Sequence, residues 1–170
     1  MKLKSLLTVL FIYTSGLLFA SNEIYLDQIG SAGIFNISQI GSSNKLGEGT
    51  NRSRIEGEEV IFNVGTIGNE NLIDIDSIGN EELVNLNLEG DGNELILALH
   101  GDKNEVNTFI SGDSNNVLIA GNEDDTQKAT VHNGLINLNI EGSSNDVDLL
   151  LFDTSYTFTD YHIAGSLNEV

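Results

Sequence analysis

The chain of 170 residues carries 7 Lys+Arg against 26 Asp+Glu, a formal net charge of −19, with 18 Gly, no Pro and no Cys. Its length is one domain's worth, the lack of Cys excludes a disulfide scaffold and a thiolate metal site, and the negative charge repels nucleic acid. Many Gly without any Pro describes a chain that needs special turns yet keeps every backbone donor, which favours long β ladders.

In chain order, residues 1–20 read as a secretory signal peptide. Lys2 and Lys4 precede the apolar run "SLLTVLFIYTSGLLFA", which is too short and too N-terminal for the usual membrane anchor. No stable membrane anchor is expected. Ala20 offers a small residue for cleavage, although Leu18 departs from the preferred small residue two places earlier. Removing residues 1–20 leaves 5 Lys+Arg against 26 Asp+Glu, a net of −21. The expected organisation is a signal peptide over 1–20 and one repeat domain over 21–170.

From about residue 22 the chain repeats itself. Gly30 and Gly41 lie eleven residues apart. The stretch "KLGEGTNRSR" (45–54), with Arg52 and Arg54, holds five inserted residues. Gly57, Gly68, Gly79, Gly90, Gly101 and Gly112 then follow at steps of eleven. Asn stands three places after Gly at Asn44, Asn71, Asn93, Asn104, Asn115, Asn145 and Asn168. The phase is lost over 121–134, Gly142 resumes it with "NLNIEGSSN", and "YHIAGSLN" (161–168) closes the chain in the same frame.

Counting back from each Gly, every second position is apolar or small: Ile73, Ile75, Ser77; Val84, Leu86, Leu88; Leu95, Leu97, Leu99; Val106, Thr108, Ile110. Side chains two apart share one face of a strand, so these predict the core. The intervening Asp74, Asp76, Asn85 and Asn87 are expected to face outward. Gly-x-x-Asn reads as a sharp bend, with Gly and Asn both expected in left-handed conformations. Eleven residues are too few for a strand plus a helix, and hairpins would favour two-residue Asn-Gly turns. The predicted fold is therefore all-β: a two-strand-per-rung β-solenoid built from 11-residue half-repeats, with 22-residue rungs. Five residues before Gly, alternate units carry Asn36, Asn63, Asn85 and Asn107, whereas the units between carry Tyr25, Arg52, Asp74 and Ile96. Stacked rungs would bring these Asn within about 4.8 Å of one another and form an amide ladder.

At "DQIGS" (27–31) and "QIGSSN" (39–44), and in the frame from Asn71 to Asn115, the sequence resembles the curlin repeat family, the secreted subunits of bacterial curli-type functional amyloid. Its repeats share the pattern Ser/Asn-x5-Gln-x-Gly-x-x-Asn, and the likeness runs over nearly all of the chain after residue 20. The resemblance implies a solenoid whose copies associate end to end, a dedicated outer-membrane export channel, and a nucleator that seeds the fibre. Two features depart from the family. Its inward Gln survives only as Gln28 and Gln39, becoming Thr66, Ser77, Leu88, Leu99, Ile110 and Ile140 later, and no Gly-rich export segment follows the leader.

Little in the sequence suggests catalysis. His100, His132 and His162 do not cluster, and no Gly-rich phosphate loop joins a strand to a helix. No enzyme and no cofactor are expected. The one constellation with ligand chemistry is acidic. One edge of the stack would receive Glu58, Glu59, Glu81, Glu82, Asp102, Glu123, Asp124 and Asp125, the other only Glu70, Asp91 and Asp113. Glu58, Glu81 and Asp102 are thus weak candidates for Ca²⁺, a hard cation that prefers oxygen ligands. The expectation is a secreted, cell-surface structural subunit that stacks into curli-like fibres for adhesion or biofilm matrix. The alternatives are a monomeric solenoid that binds a partner or Ca²⁺ through its acidic edge, and a minor nucleator or cap of another protein's fibre.

Overall fold

A computed structural model of the chain describes residues 8–15, 22–120, 129–152 and 158–170. Strands β1 (Thr8–Ser15), β2 (Glu23–Ile24) and β3 (Asp27–Ile29) precede β4 (Gly33–Ile40). β5 (Lys45–Leu46) and β6 (Ser53–Glu58) lead to β7 (Ile61–Ile67), with the five-residue insertion between β5 and β6. Four unbroken strands follow: β8 (Leu72–Asn80), β9 (Leu83–Glu89), β10 (Glu94–Asp102) and β11 (Glu105–Ser111). β12 (Asn116–Ala120) and β13 (Ala129–His132) lead to β14 (Leu135–Glu141), then β15 (Asp146–Leu149) and β16 (Leu151–Phe152) to β17 (Phe158–Ala164). There is no helix among the described residues.

The described strands lie in two sheets, and each ladder that joins them is parallel. One sheet has the order β1-β4-β7-β9-β11-β14-β17. The other runs β15-β12-β10-β8-β5-β2, with β3, β6, β13 and β16 continuing the broken strands. From β2 onward the chain alternates between the sheets, so each strand pairs with strands that precede or follow it in the same sheet. Asn85 faces Asn63 and Asn107 faces Asn85, 22 residues apart, whereas the insertion lengthens the step from Asn36 to Asn63 to 27. The step from Asn107 to Asn137, across the segment that loses phase, is 30. An all-β fold with parallel strands in two sheets is consistent with a β-solenoid.

Alternation decides the faces. Val84, Leu86 and Leu88 of β9 and Leu95, Leu97 and Leu99 of β10 are buried between the sheets, as are Ile73, Ile75, Val106 and Ile110. Each such Leu or Ile contributes about 1.5–3 kcal/mol by leaving water. The positions that would hold Gln in the resembled family join this core: Thr66, Ser77, Leu88, Leu99, Ile110 and Ile140 are all fully buried. The surviving Gln39 is buried too, and its Nε2 donates to Asn22 O at 3.0 Å and Lys45 O at 3.1 Å.

The first twenty residues differ from expectation in one respect. Thr8–Ser15 is not outside the sheets in the chain that carries it, because β1 pairs in parallel with β4 from Thr8↔Gly33 to Ser15↔Ile40. The apolar run that suits a signal sequence is here also rich in β-branched and aromatic residues, which suit a strand. Residues 1–7 and 16–21 lie outside the described residues, as do 121–128, which include the expected edge residues Glu123, Asp124 and Asp125.

Candidate functional site

The residues that recur most strictly, Gly and Asn, build the bends and two amide ladders. Gly30, Gly41, Gly68, Gly90, Gly101, Gly112 and Gly142 all have positive φ, between 135° and 156°. At Gly90 the requirement is double: φ is +142°, and a Cβ would collide with the carbonyl oxygen of Gly68 on the neighbouring turn. Gly79 corrects the expectation. It lies inside β8 without positive φ, and its need for Gly comes from the Gly57 carbonyl oxygen, which a Cβ would strike.

The left-handed residue of each bend is also not the Asn. It stands two places after the Gly, at Ser43, Glu70, Glu81, Lys103, Ser114 and Ser144, with φ from 56° to 62°. Asn44, Asn71, Asn93, Asn115 and Asn145 point inward instead and are almost completely buried. Each donates its Nδ2 back to the Gly carbonyl three residues earlier, as Asn71 does to Gly68 O at 2.8 Å. The first three reach the next turn as well, Asn44 to Ile67 O and Asn71 to Glu89 O, both at 3.1 Å, and Asn93 to Ser111 O at 3.3 Å. The same nitrogen donates to the next Asn: Asn22→Asn44, Asn44→Asn71, Asn71→Asn93, Asn93→Asn115, Asn115→Asn145 and Asn145→Asn168, at 2.7–3.0 Å. Carbonyls only accept, so the nitrogen side of each amide is fixed and the ladder has one direction.

Asn104 does not belong to this ladder. It occupies the opposite bend, where its counterparts one turn away are Glu82 and Gly134, and its Nδ2 donates to Gly79 O and His100 O at 3.0 and 3.3 Å. A second ladder runs along the outer face of the seven-stranded sheet. Asn63 donates to Asn36, Asn85 to Asn63, Asn107 to Asn85 and Asn137 to Asn107, at 2.7–3.0 Å. At β17 the register places Asp160 next to Asn137, and the column of amides ends on a carboxylate.

Glu58, Glu81 and Asp102 do share one edge. With Glu59, Asn80 and Lys103 they line a hollow of about 220 Å³. Lys103 Nζ sits 2.6 Å from Glu81 Oε1, a pairing that raises the lysine pKa, and Asn133 Nδ2 donates to Asp102 Oδ1 at 2.7 Å. No group of three or more His, Asp or Glu is placed to hold a metal ion among the described residues. On the other edge Ser143 donates to Asp113 from both Oγ and N, lowering the pKa of Asp113.

Two carboxylates expected at the solvated surface are buried. Glu82 is buried, not part of the acidic edge: Ser77 Oγ donates to its Oε2, its Oε1 has no partner, and burial pushes its pKa to about 7. The repeat frame carried that signal, since Glu82 stands three places after Gly79 as Asn104 does after Gly101. Asp74 does lie on the outer face of β8, but the 45–54 insertion folds over it. Arg52 Nε lies 2.5 Å from Asp74 Oδ1 and Gly49 N donates to Oδ2 at 2.9 Å. Burial outweighs Arg52 here and holds the Asp74 pKa above the usual range. His100 lies on β10, His132 on the neighbouring β13 and His162 on β17.

No family model, curated protein or solved structure matches the chain.

Proposed function

We propose that the chain is a secreted structural subunit, a β-solenoid with two strands and 22 residues per rung, that stacks end to end into curli-like surface fibres. The observation that carries this reading is the inner Asn ladder. It runs without a break from Asn22 to Asn168 and has a fixed direction, so one end offers an amide oxygen and the other an amide nitrogen. A second copy placed in the same orientation continues the ladder, with Asn168 Nδ2 donating to the next Asn22 Oδ1. The sheets supply the rest: β17 and β2 are outermost strands among the described residues, and such edges recruit further strands. Cleavage after Ala20 would take β1 off β4 and open the edge that a neighbour's β17 would occupy. A nucleator and an outer-membrane channel would serve assembly and export, as in the family the sequence resembles.

A second reading is a monomeric secreted solenoid that binds a partner or Ca²⁺ at the acidic edge. Its support is the apolar core, in which Leu88, Leu99, Ile110 and Ile140 replace Gln and give a single copy stability of its own. The third, a minor nucleator or cap, differs from the first only in how many copies assemble. Electron microscopy of the purified chain without residues 1–20, with thioflavin fluorescence followed over days, tests the first reading. Fibres with a 4.7–4.8 Å cross-β repeat are expected. Monomers that persist at every concentration, pH and salt would overturn it in favour of the second.

A further inference from the structure

The outer face of the seven-stranded sheet carries a groove of about 830 Å³ that stacking does not use. It crosses β4, β7, β9, β11, β14 and β17, so it runs along the stack for about 24 Å at the ordinary strand spacing. Its volume falls in the range of ligand sites, and its length suits a linear polymer rather than a compact molecule. The outer Asn ladder forms one side. Gly65, Asn87 and Phe109 belong to the other, with Asp160 and His162 at the far end.

Three properties narrow the occupant. The first is charge: in a chain of net −19, Asp160 is the only acid among the lining residues. Polyanions are repelled by the surrounding protein, whereas a neutral chain meets no opposition. The second is hydrogen bonding. Asn63 and Asn85 each spend one Nδ2 hydrogen and one Oδ1 lone pair on the ladder, leaving a donor and an acceptor on each, while Asn107 gives its second hydrogen to Glu105 Oε1 and keeps an acceptor. A hydroxyl, which both donates and accepts, satisfies such a row in either direction; a peptide strand pairs at sheet edges rather than across a face. The third is the half-buried ring of Phe109, an apolar face in the groove between Asn87 and Asn139. The Oδ1 atoms of both Asn lack a partner, and unpartnered polar atoms of this kind call for a donor. We propose that this groove binds a linear, neutral polysaccharide lying along the stack, its hydroxyls on the Asn row and one sugar ring over Phe109.

The test is isothermal titration of the freshly purified, unassembled chain with cellohexaose, chitohexaose and, as the anionic comparison, polygalacturonate. Because the chain is unassembled, the result does not depend on fibre formation. Two variants report on the groove. Gly65→Ile fills its floor, and a Cβ at Gly65 meets nothing within 4 Å, so the fold has no reason to change. Phe109→Ala removes the platform. Saturable binding of either neutral hexaose, weakened about tenfold or more in both variants at unchanged melting temperature, is the expected result. If Phe109→Ala proves unstable, Gly65→Ile alone decides. No binding of either hexaose, binding untouched by the variants, or equal uptake of polygalacturonate would overturn the proposal.

Discussion

Single side chains divide sharply into those the fold needs and those it carries. Asn93 and Asn85 are both ladder amides, yet their surroundings differ. Asn93 is buried and serves Gly90 O, Ser111 O and Asn115, so Asn93→Ala takes the side-chain donor from the Gly90 carbonyl and breaks the inner ladder, while Ser111 O keeps the Gly90 N–H. Asn85 donates only to Asn63 on a half-buried outer face. Asn93→Ala should cost about 2–4 kcal/mol and Asn85→Ala about 1 kcal/mol or less, read from denaturant midpoints. Equal costs would mean that burial does not distinguish the ladders. Glu82 gives the pH dependence. Its folded pKa, raised to about 7 by burial, lies above the unfolded value, so the folded state holds the proton more tightly. The associated stability is fully present below about pH 4.5 and is lost as pH rises through about 7. Asp74 acts in the same direction. Melting temperature should therefore fall between pH 4.5 and 8, and Glu82→Gln should flatten the curve, gaining roughly 2 kcal/mol at pH 8 and almost nothing at pH 4. A variant that melts in parallel with the parent at all pH values would remove Glu82 as the cause.

Strands and bends show what a repeat reveals and what it conceals. At Gly90→Val, positive φ and the Gly68 carbonyl combine, and the loss should be about 2 kcal/mol or more. Gly65→Val, in open space on an extended strand, should be neutral or slightly stabilising, because a β-branched residue suits a strand. Thermal melts of the pair settle the comparison, and a tolerated Gly90→Val would show that the bend is not as tight as its backbone. The eleven-residue period and the alternation of Leu95, Leu97 and Leu99 were sufficient to read strands, faces and core, because burial with period two leaves a direct trace in composition. The outer column of Asn36, Asn63, Asn85 and Asn107 was legible for the same reason. The inner Asn ladder was visible only as a spacing. A residue three places after Gly can serve a bend through its backbone or its side chain, and sequence does not distinguish Ser43 adopting positive φ from Asn44 doing so. Gly79 was misread because one spacing covers two physical demands, left-handed backbone and close approach. Asp74 was hidden by the insertion, whose fold over β8 is a tertiary contact without period.

The molecule as a whole sets folding against charge. Burial between the sheets stabilises one copy, while in the proposed fibre the acids on its bends would oppose the arrival of the next. Among the described residues some are neutralised at the surface: Lys103 pairs with Glu81, Lys45 with Glu48, and Arg54 with Glu56. Without residues 1–20 each copy brings −21 against another −21. Exposed charges interact within a Debye length of roughly 8–10 Å at physiological salt, and strands paired across the proposed junction, about 4.8 Å apart, would lie well inside it. Repulsion should therefore slow end-to-end growth more than it destabilises a folded copy. Acidification toward pH 4, where carboxylates begin to neutralise, should shorten the lag before fibres appear. The same change protonates Glu82 and stabilises the monomer, so faster assembly in acid would not arise from unfolding. Millimolar Ca²⁺ should act like acid, and more strongly than Na⁺ at equal ionic strength if the hollow of Glu58, Glu81 and Asp102 holds the ion. Thioflavin lag times in the two salts, with Glu81→Gln/Asp102→Asn as the control, separate the effects. A calcium advantage that disappears in the double variant assigns the ion to that edge, whereas equal lag times in both salts leave screening as the whole effect and remove calcium from the acidic edge.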